Sequence, residues 1–171
     1  MPEDWSKLLD VDPLAEARAC FDVELPLTEL PRVRPLLAEP AGLARGRVCF
    51  DRVRGLAVAD VQVAATPRLR CERCLGPMQW PVSASGRVAL VADAAEADRA
   101  PAELETVLAP EHRLAVRDLL EEELLLALPL VPRHADACAA QGAAPSDAQA
   151  GDEKRQRPFA DLQQLLQRRE R

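Results

Sequence analysis

The sequence predicts an α+β fold in which a curled antiparallel β-sheet or partial barrel packs against an amphipathic helix, with a flexible C-terminal tail. Three observations support it. Between residues 21 and 92, short runs of alternating apolar and polar residues are separated by Gly and Pro, which is typical of a sheet that curls or closes. Residues 116–127 repeat apolar side chains at helical spacing. After residue 134 apolar side chains are scarce, too few to offset the entropy lost on ordering.

The first predicted elements are short. Asp12 and Pro13 favour a helix start, because Asp accepts from the first free N–H groups and Pro has the φ of a first helical turn. Residues 21–25 alternate apolar with acidic side chains, which predicts a strand with one buried face. A second short helix is expected over residues 28–37, where two prolines make it irregular.

Most of the predicted sheet lies in the next part of the chain. Residues 48–52 and 56–65 alternate in the same way, and Arg54-Gly55 between them is a turn signal. Residues 67–71 are expected to be extended, and residues 80–92 alternate again. These segments are therefore predicted to be neighbouring antiparallel strands.

The longest predicted helix covers residues 116–127. Leu119, Leu120 and Leu124 form its apolar face, and Pro129 ends it. The carboxylates at positions 121–123 are interpreted as residues that favour the helix dipole and solubility.

The predicted domain organisation is simple. Residues 1–134 are expected to form a single α+β domain that includes an acidic, flexible loop over residues 93–103. Residues 135–157 are predicted to be a flexible linker, and residues 158–171 a short amphipathic segment.

Composition limits the function classes. The 171 residues include 22 basic and 28 acidic side chains, a formal net charge of −6 that excludes a strongly basic nucleic-acid binder. Aromatic residues make up only 3 % and Tyr is absent, which argues against RNA recognition by stacked aromatics. The chain has neither a secretory signal pattern nor an apolar run of about 18 residues, so we expect a cytoplasmic protein with reduced thiols.

Charge is unevenly distributed. Residues 45–73 hold seven arginines and three carboxylates, whereas residues 92–123 hold three arginines and ten carboxylates. This pattern fits RNA on one face and protein on another, or simply two solvated faces. The candidate RNA-binding arginines, expected to converge on one face of the sheet, are Arg47, Arg52, Arg54, Arg68, Arg70 and Arg73.

The five cysteines are the main source of candidate chemistry. Cys71 and Cys74 lie in a tight turn at metal-chelating spacing, and His134 and Cys138 offer a second pair after the long helix. Together they predict a closed, structural zinc site, and zinc is the only cofactor that the sequence suggests. The alternative is a hairpin turn with unligated thiols. The other two cysteines, at positions 20 and 49, are expected to be small core residues.

No catalytic site is predicted. The sequence contains no Gly-rich dinucleotide loop, no phosphate loop and no nucleophile elbow. Of the two histidines, His112 lies in a polar stretch and is expected at the surface. We therefore expect a protein that is not an enzyme.

Three stretches carry a resemblance to a known family: residues 71–77, residues 118–134 with their Leu-Ala-Leu-Pro ending and following His, and residues 157–162. With the opening Asp12-Pro13, they resemble the YceD family of bacterial large ribosomal RNA subunit accumulation proteins, over nearly the whole chain. The resemblance implies a non-enzymatic factor needed for synthesis, processing or stability of 23S ribosomal RNA. Its partners would be that RNA or its assembly proteins, with no membrane and no small-molecule substrate. The alternative is a protein-interaction adaptor, with or without zinc, that makes no direct RNA contact.

Overall fold

The computed structural model describes residues 4–135 and residue 138, and it confirms the predicted α+β class. The strands are β1 (Leu8–Asp10), β2 (Cys20–Pro26), β3 (Leu43–Val53), β4 (Leu56–Ala65), β5 (Arg68–Arg70), β6 (Pro77–Gln79), β7 (Val82–Val91), β8 (Glu105–Leu108) and β9 (Arg113–Ala115). The helices are α1 (Val11–Glu16), α2 (Ala94–Ala97) and α3 (Val116–Ala127), with single 3-10 turns at Leu27–Glu29, Arg34–Leu36 and Pro110–His112.

A five-stranded sheet in the order β2-β3-β4-β7-β8 is the centre of the fold. Its first four strands are antiparallel, whereas β8 adds to β7 in parallel. Arg54 and Gly55 both have positive φ, 49° and 87°, which suits the tight turn between β3 and β4. Because β2 and β8 are its edges, the described strands form an open sheet and not a closed barrel. Two small ribbons, β1–β9 and β5–β6, complete the described strands.

Helix α3 packs on one face of this sheet, with the bounds that the sequence predicts. Its side chains Leu119, Leu120 and Leu124 are buried. Gly46 allows this close approach, since a Cβ there would collide with Leu120 and lie 2.5 Å from a carbonyl oxygen of β4. We call this side of the sheet the helix face and the other side the open face.

Glu121 on α3 is the one charged side chain that is buried among the described residues, at 1 % exposure. Its Oε1 accepts hydrogen bonds from the backbone N–H groups of Arg32 and Val33, at 2.6 and 3.1 Å. The Arg32 guanidinium lies 3.2 Å from its Oε2. The interpretation of Glu121 as a solubility residue is therefore wrong. Its carboxylate is buried and binds the backbone of the connection between β2 and β3.

Three local predictions need correction. Helix α1 begins two residues earlier than expected, because Asp10 and not Asp12 is its N-cap and accepts from Asp12 N. The helix expected over residues 28–37 is a pair of 3-10 turns. The acidic loop contains α2, because Asp93 accepts from Glu96 N while the Glu96 carboxylate accepts from the backbone ahead of the helix.

Cys20 and Cys49 were expected to be core residues with free thiols, and this is wrong. They form a disulfide between β2 and β3, and Cys20 is exposed. The register of the two strands places these residues directly opposite each other.

The remaining tail lies outside the described residues. The predicted linker beyond residue 135, apart from residue 138, and the predicted segment 158–171 both belong to it. In the described part of the chain, no helix is long and apolar enough to cross a membrane.

Replacing Glu121 tests the connection that it holds. We expect Glu121→Ala to lower the free energy of unfolding by about 3 kcal/mol, because two backbone N–H groups lose their buried acceptor. The control is Glu122→Ala, which removes an ion pair to Arg32 in which both side chains are about half exposed and should cost less than about 1 kcal/mol. Urea unfolding of both variants gives the comparison, and equal losses would contradict the role of Glu121.

Candidate metal centre

The turn between β5 and β6 presents the first pair of cysteines. Cys71 N donates to the Gly76 carbonyl at 2.9 Å, and Leu75 N donates to the Cys71 carbonyl at 2.8 Å. Leu75 takes the left-handed conformation, with φ 60°, which closes the turn. This tight backbone holds Cys71 and Cys74 as neighbours at the tip of the ribbon, which we call the cysteine hairpin (residues 68–79).

The chain after α3 brings the second pair. α3 ends at Ala127, and its C-cap residue Leu128 is extended, with φ −77° and ψ 143°. The chain then runs back beside the cysteine hairpin, where Glu72 N donates to the Pro132 carbonyl at 2.9 Å. This contact lies shortly before His134 and Cys138 in the chain, and both side chains lie next to the two cysteines of the hairpin.

The four side chains meet at the distances of a tetrahedral metal site. The Sγ atoms of Cys71 and Cys138 are 3.8 Å apart, and Cys74 Sγ lies 3.5 Å from His134 Nδ1. All four ligand atoms lie within 4.8 Å of one another. Thiolates at about 2.3 Å and imidazole nitrogens at about 2.0 Å from a tetrahedral ion would be roughly 3.5–3.8 Å apart. The predicted ligands therefore come together in a cluster that could hold a metal ion.

Hydrogen bonds favour the charged form of one ligand. Cys71 is fully buried. Burial opposes ionisation of its thiol, but backbone N–H groups of Cys74, His134 and Arg73 outweigh burial and lower the pKa of Cys71 to about 5. Burial raises the pKa of Cys138, and its contacts with Cys74 and Cys71 raise it further. At neutral pH the Cys71 thiolate is ready to bind a cation, and binding to Cys138 would displace a proton.

A small apolar cluster supports the site. Leu69, Cys71 and Met78 are buried together, and Trp80 and Leu128 pack against them. Two three-residue strands bury little surface, so this ribbon gains little stability from packing alone. A metal ion held by the four protein ligands would have no open position for a substrate, which is typical of structural sites.

The structure does not bring all six candidate arginines to one face. Arg47 is on the open face and lies 3.7 Å from Asp22, whereas Arg52 is on the helix face and binds Asp12 at 2.8 Å. Arg54 lies in the turn after β3, with a carboxylate 3.9 Å away. The expected convergence of these three is wrong, because residues an odd number apart in a strand point to opposite faces.

The other three candidates belong to the cysteine hairpin. Arg68 and Arg70 are exposed on either side of buried Leu69, and Arg73 is exposed between the two cysteines. Arg68 pairs with Glu39, whereas Arg70 and Arg73 make no ion pair with any described residue.

One neighbouring arginine was not among the sequence candidates. Arg133 is exposed directly before His134, and it too forms no ion pair within the described part of the chain. In the sequence, the position of Arg133 directly before the predicted ligand His134 was the feature that could have identified it as a candidate.

Comparison with known proteins gives one match. A family model described as "Large ribosomal RNA subunit accumulation protein YceD" matches residues 59–166, which is more than half of the chain. No curated protein and no solved structure matches the chain.

Titration with Co²⁺ tests the cluster as a metal site. We expect one tetrahedral, thiolate-bound ion per chain, with an affinity that rises with pH because the metal displaces the Cys138 proton. Cys74→Ser should weaken binding by at least about 100-fold, since one of four ligands is lost. Cys20→Ser is the matched control, and its affinity should equal that of the unchanged protein. Equal Co²⁺ affinity of both variants would refute the site.

Proposed function

Because the chain belongs to the YceD family, we propose that it is a non-enzymatic assembly factor of the large ribosomal subunit, which maintains 23S ribosomal RNA by binding that RNA in the cytoplasm. The family description supports a role in accumulation of this RNA. The contact with RNA and the residues that make it are our proposal, argued from the surface around the cysteine cluster.

The cysteine hairpin carries this proposal. Arg70, Arg73 and Arg133 are exposed, and each directly precedes a residue of the cluster. They have no carboxylate partner among the described residues, so their charge is available to a ligand. An arginine that makes no ion pair within the protein binds phosphate more favourably, because no existing ion pair has to be broken.

Zinc is the metal that we propose for the cluster. Three cysteines and one histidine form a common structural zinc set, and soft thiolates disfavour Mg²⁺ and Ca²⁺. With three thiolates and a neutral histidine, a Zn²⁺ centre would carry one net negative charge. The ion would fix the chain after α3 against the hairpin, and with it Arg133, which directly precedes the ligand His134.

The mode of RNA recognition follows from the side chains. Aromatic residues are only 3 % of the chain, so stacking on bases has few platforms. Arginine contacts to phosphate supply affinity through the release of counterions. We therefore expect recognition of the shape and backbone of the RNA more than of its sequence.

A second candidate function is an adaptor that binds an assembly protein. A groove of about 320 Å³ lies beside the hairpin, and Leu36, Leu69, Leu128 and Leu130 contribute to its lining. Leu130 is fully exposed. Arg70 and Glu72 also line this groove, which therefore suits a protein partner that offers both apolar and charged side chains.

Salt-dependent binding of the purified protein to large-subunit RNA separates the two functions. Arg70→Gln with Arg73→Gln should weaken binding and reduce the slope of log K against log salt by about 0.7–0.9 for each lost phosphate contact. Arg45→Gln with Arg47→Gln is the matched control, since both arginines already pair with carboxylates on β2. Its affinity should stay close to that of the unchanged protein.

Either of two results would contradict direct binding through the hairpin. One is unchanged affinity of the hairpin variant. The other is absence of salt-dependent binding by the unchanged protein, which would favour the adaptor.

A further inference from the structure

The disulfide between Cys20 and Cys49 is separate from the metal cluster and has no part in the proposed function. Phe50 N donates to the Ala19 carbonyl at 2.8 Å, so the next pair along the ladder, Cys20 and Cys49, is a non-hydrogen-bonded pair. In such pairs the two chains approach most closely, and here the Cα atoms are 4.1 Å apart. The backbone therefore brings the two sulfurs together whether or not they are bonded.

The two sulfurs differ in access. β2 is an edge strand, so none of the described strands pairs with its outer edge, and the side chain of Cys20 is exposed. Cys49 lies in β3 between β2 and β4, with Asp60 as its neighbour on β4, and it is half-buried. An incoming thiol or disulfide from solution thus reaches Cys20 more readily than Cys49.

We propose that Cys20 and Cys49 form a thiol–disulfide exchange site for small-molecule disulfides of the glutathione type, in which Cys20 is the sulfur that reacts with the solution. In oxidation, the Cys20 thiolate attacks the small disulfide, forms a mixed disulfide and releases one thiolate. The Cys49 thiolate then attacks Cys20 Sγ, closes the protein disulfide and releases the second thiolate. Two protein thiols are oxidised, one small disulfide is reduced to two thiols, and the two protons pass to the released thiolates.

The reverse reaction opens the bond. A small-molecule thiolate attacks Cys20 Sγ, and Cys49 leaves as a thiolate. A second small-molecule thiolate then attacks the small-molecule sulfur of the mixed disulfide and releases the Cys20 thiolate. The net change is one protein disulfide reduced and two small thiols oxidised to a disulfide.

The disulfide constrains the same part of the fold that Glu121 contacts, which is the connection between β2 and β3. Its two residues are 29 positions apart, and the loop that it closes contains the connection with Arg32 and Val33. Closing this loop restricts the unfolded chain and keeps β2 in register on β3. The oxidation state of the pair thereby sets the stability of the sheet edge and of this connection.

The chain divides its cysteines into two sets. Cys71, Cys74 and Cys138 belong to the metal cluster, and no contact joins them to the other two among the described residues. A bound metal ion would protect its thiolates from oxidation. The exchange experiment is therefore done on metal-loaded, full-length protein.

Two single variants test which sulfur reacts. With oxidised glutathione, Cys49→Ser should gain one glutathionyl group at Cys20, as read by intact mass and peptide mapping. Cys20→Ser is the matched control and should react at least about tenfold more slowly, because only half-buried Cys49 remains. The reduced, unchanged protein should lose two hydrogens and end without an adduct. Equal rates for the two variants, or a mapped disulfide that includes a metal ligand, would overturn the proposal.

Urea unfolding gives a second readout that does not depend on the single variants. Reduction should lower the urea midpoint of the unchanged protein to that of the double variant Cys20→Ser, Cys49→Ser. The midpoint of the double variant should not respond to reduction. A midpoint of the unchanged protein that is the same in both oxidation states would overturn the proposed effect on stability.

Discussion

The buried carboxylate of Glu121 is the constraint on which the arrangement of this domain depends. It accepts from the backbone of Arg32 and Val33, and α3 cannot bury a carboxylate without those donors. The same connection then forms a β-bridge between Leu37 and Leu69, one of the buried residues of the cysteine hairpin. One polar contact thus links α3 to the connection, and the connection to the hairpin.

The metal cluster completes this linkage from the other side. α3 leads into the chain that carries His134 and Cys138, while the hairpin contributes Cys71 and Cys74. The hairpin therefore depends on α3 twice, through the connection held by Glu121 and through the proposed ion. Since a short ribbon gains little from packing, a bound ion together with the Glu121 contact would hold its arginines in a fixed arrangement.

Much of this follows from the sequence, and the rest fails for identifiable reasons. Alternation predicts the strands, and helical spacing predicts α3, because both depend on local periodicity. The spacing of the two Cys/His pairs also predicts that the four candidate ligands lie together. By contrast, the contact of Glu121 is with residues 88 and 89 positions away, and an acidic side chain on a helix normally lies in solvent. The pairing of Cys20 with Cys49 depends on strand register across a long connection, which periodicity does not determine. The separation of Arg47 from Arg52 was available in the sequence, since five positions along a strand change the face.

The central claim is that the hairpin, fixed by its metal cluster, maintains large-subunit RNA. The most direct measurement is the ratio of 23S to 16S ribosomal RNA in cells whose only copy of the protein is Cys71→Ser with Cys74→Ser. This ratio should fall as it does in cells without the protein, because the hairpin can no longer bind the ion that fixes it. A copy with Cys20→Ser and Cys49→Ser, made at the same level, should restore the normal ratio. A normal ratio in cells that make only the Cys71→Ser, Cys74→Ser protein would contradict the account.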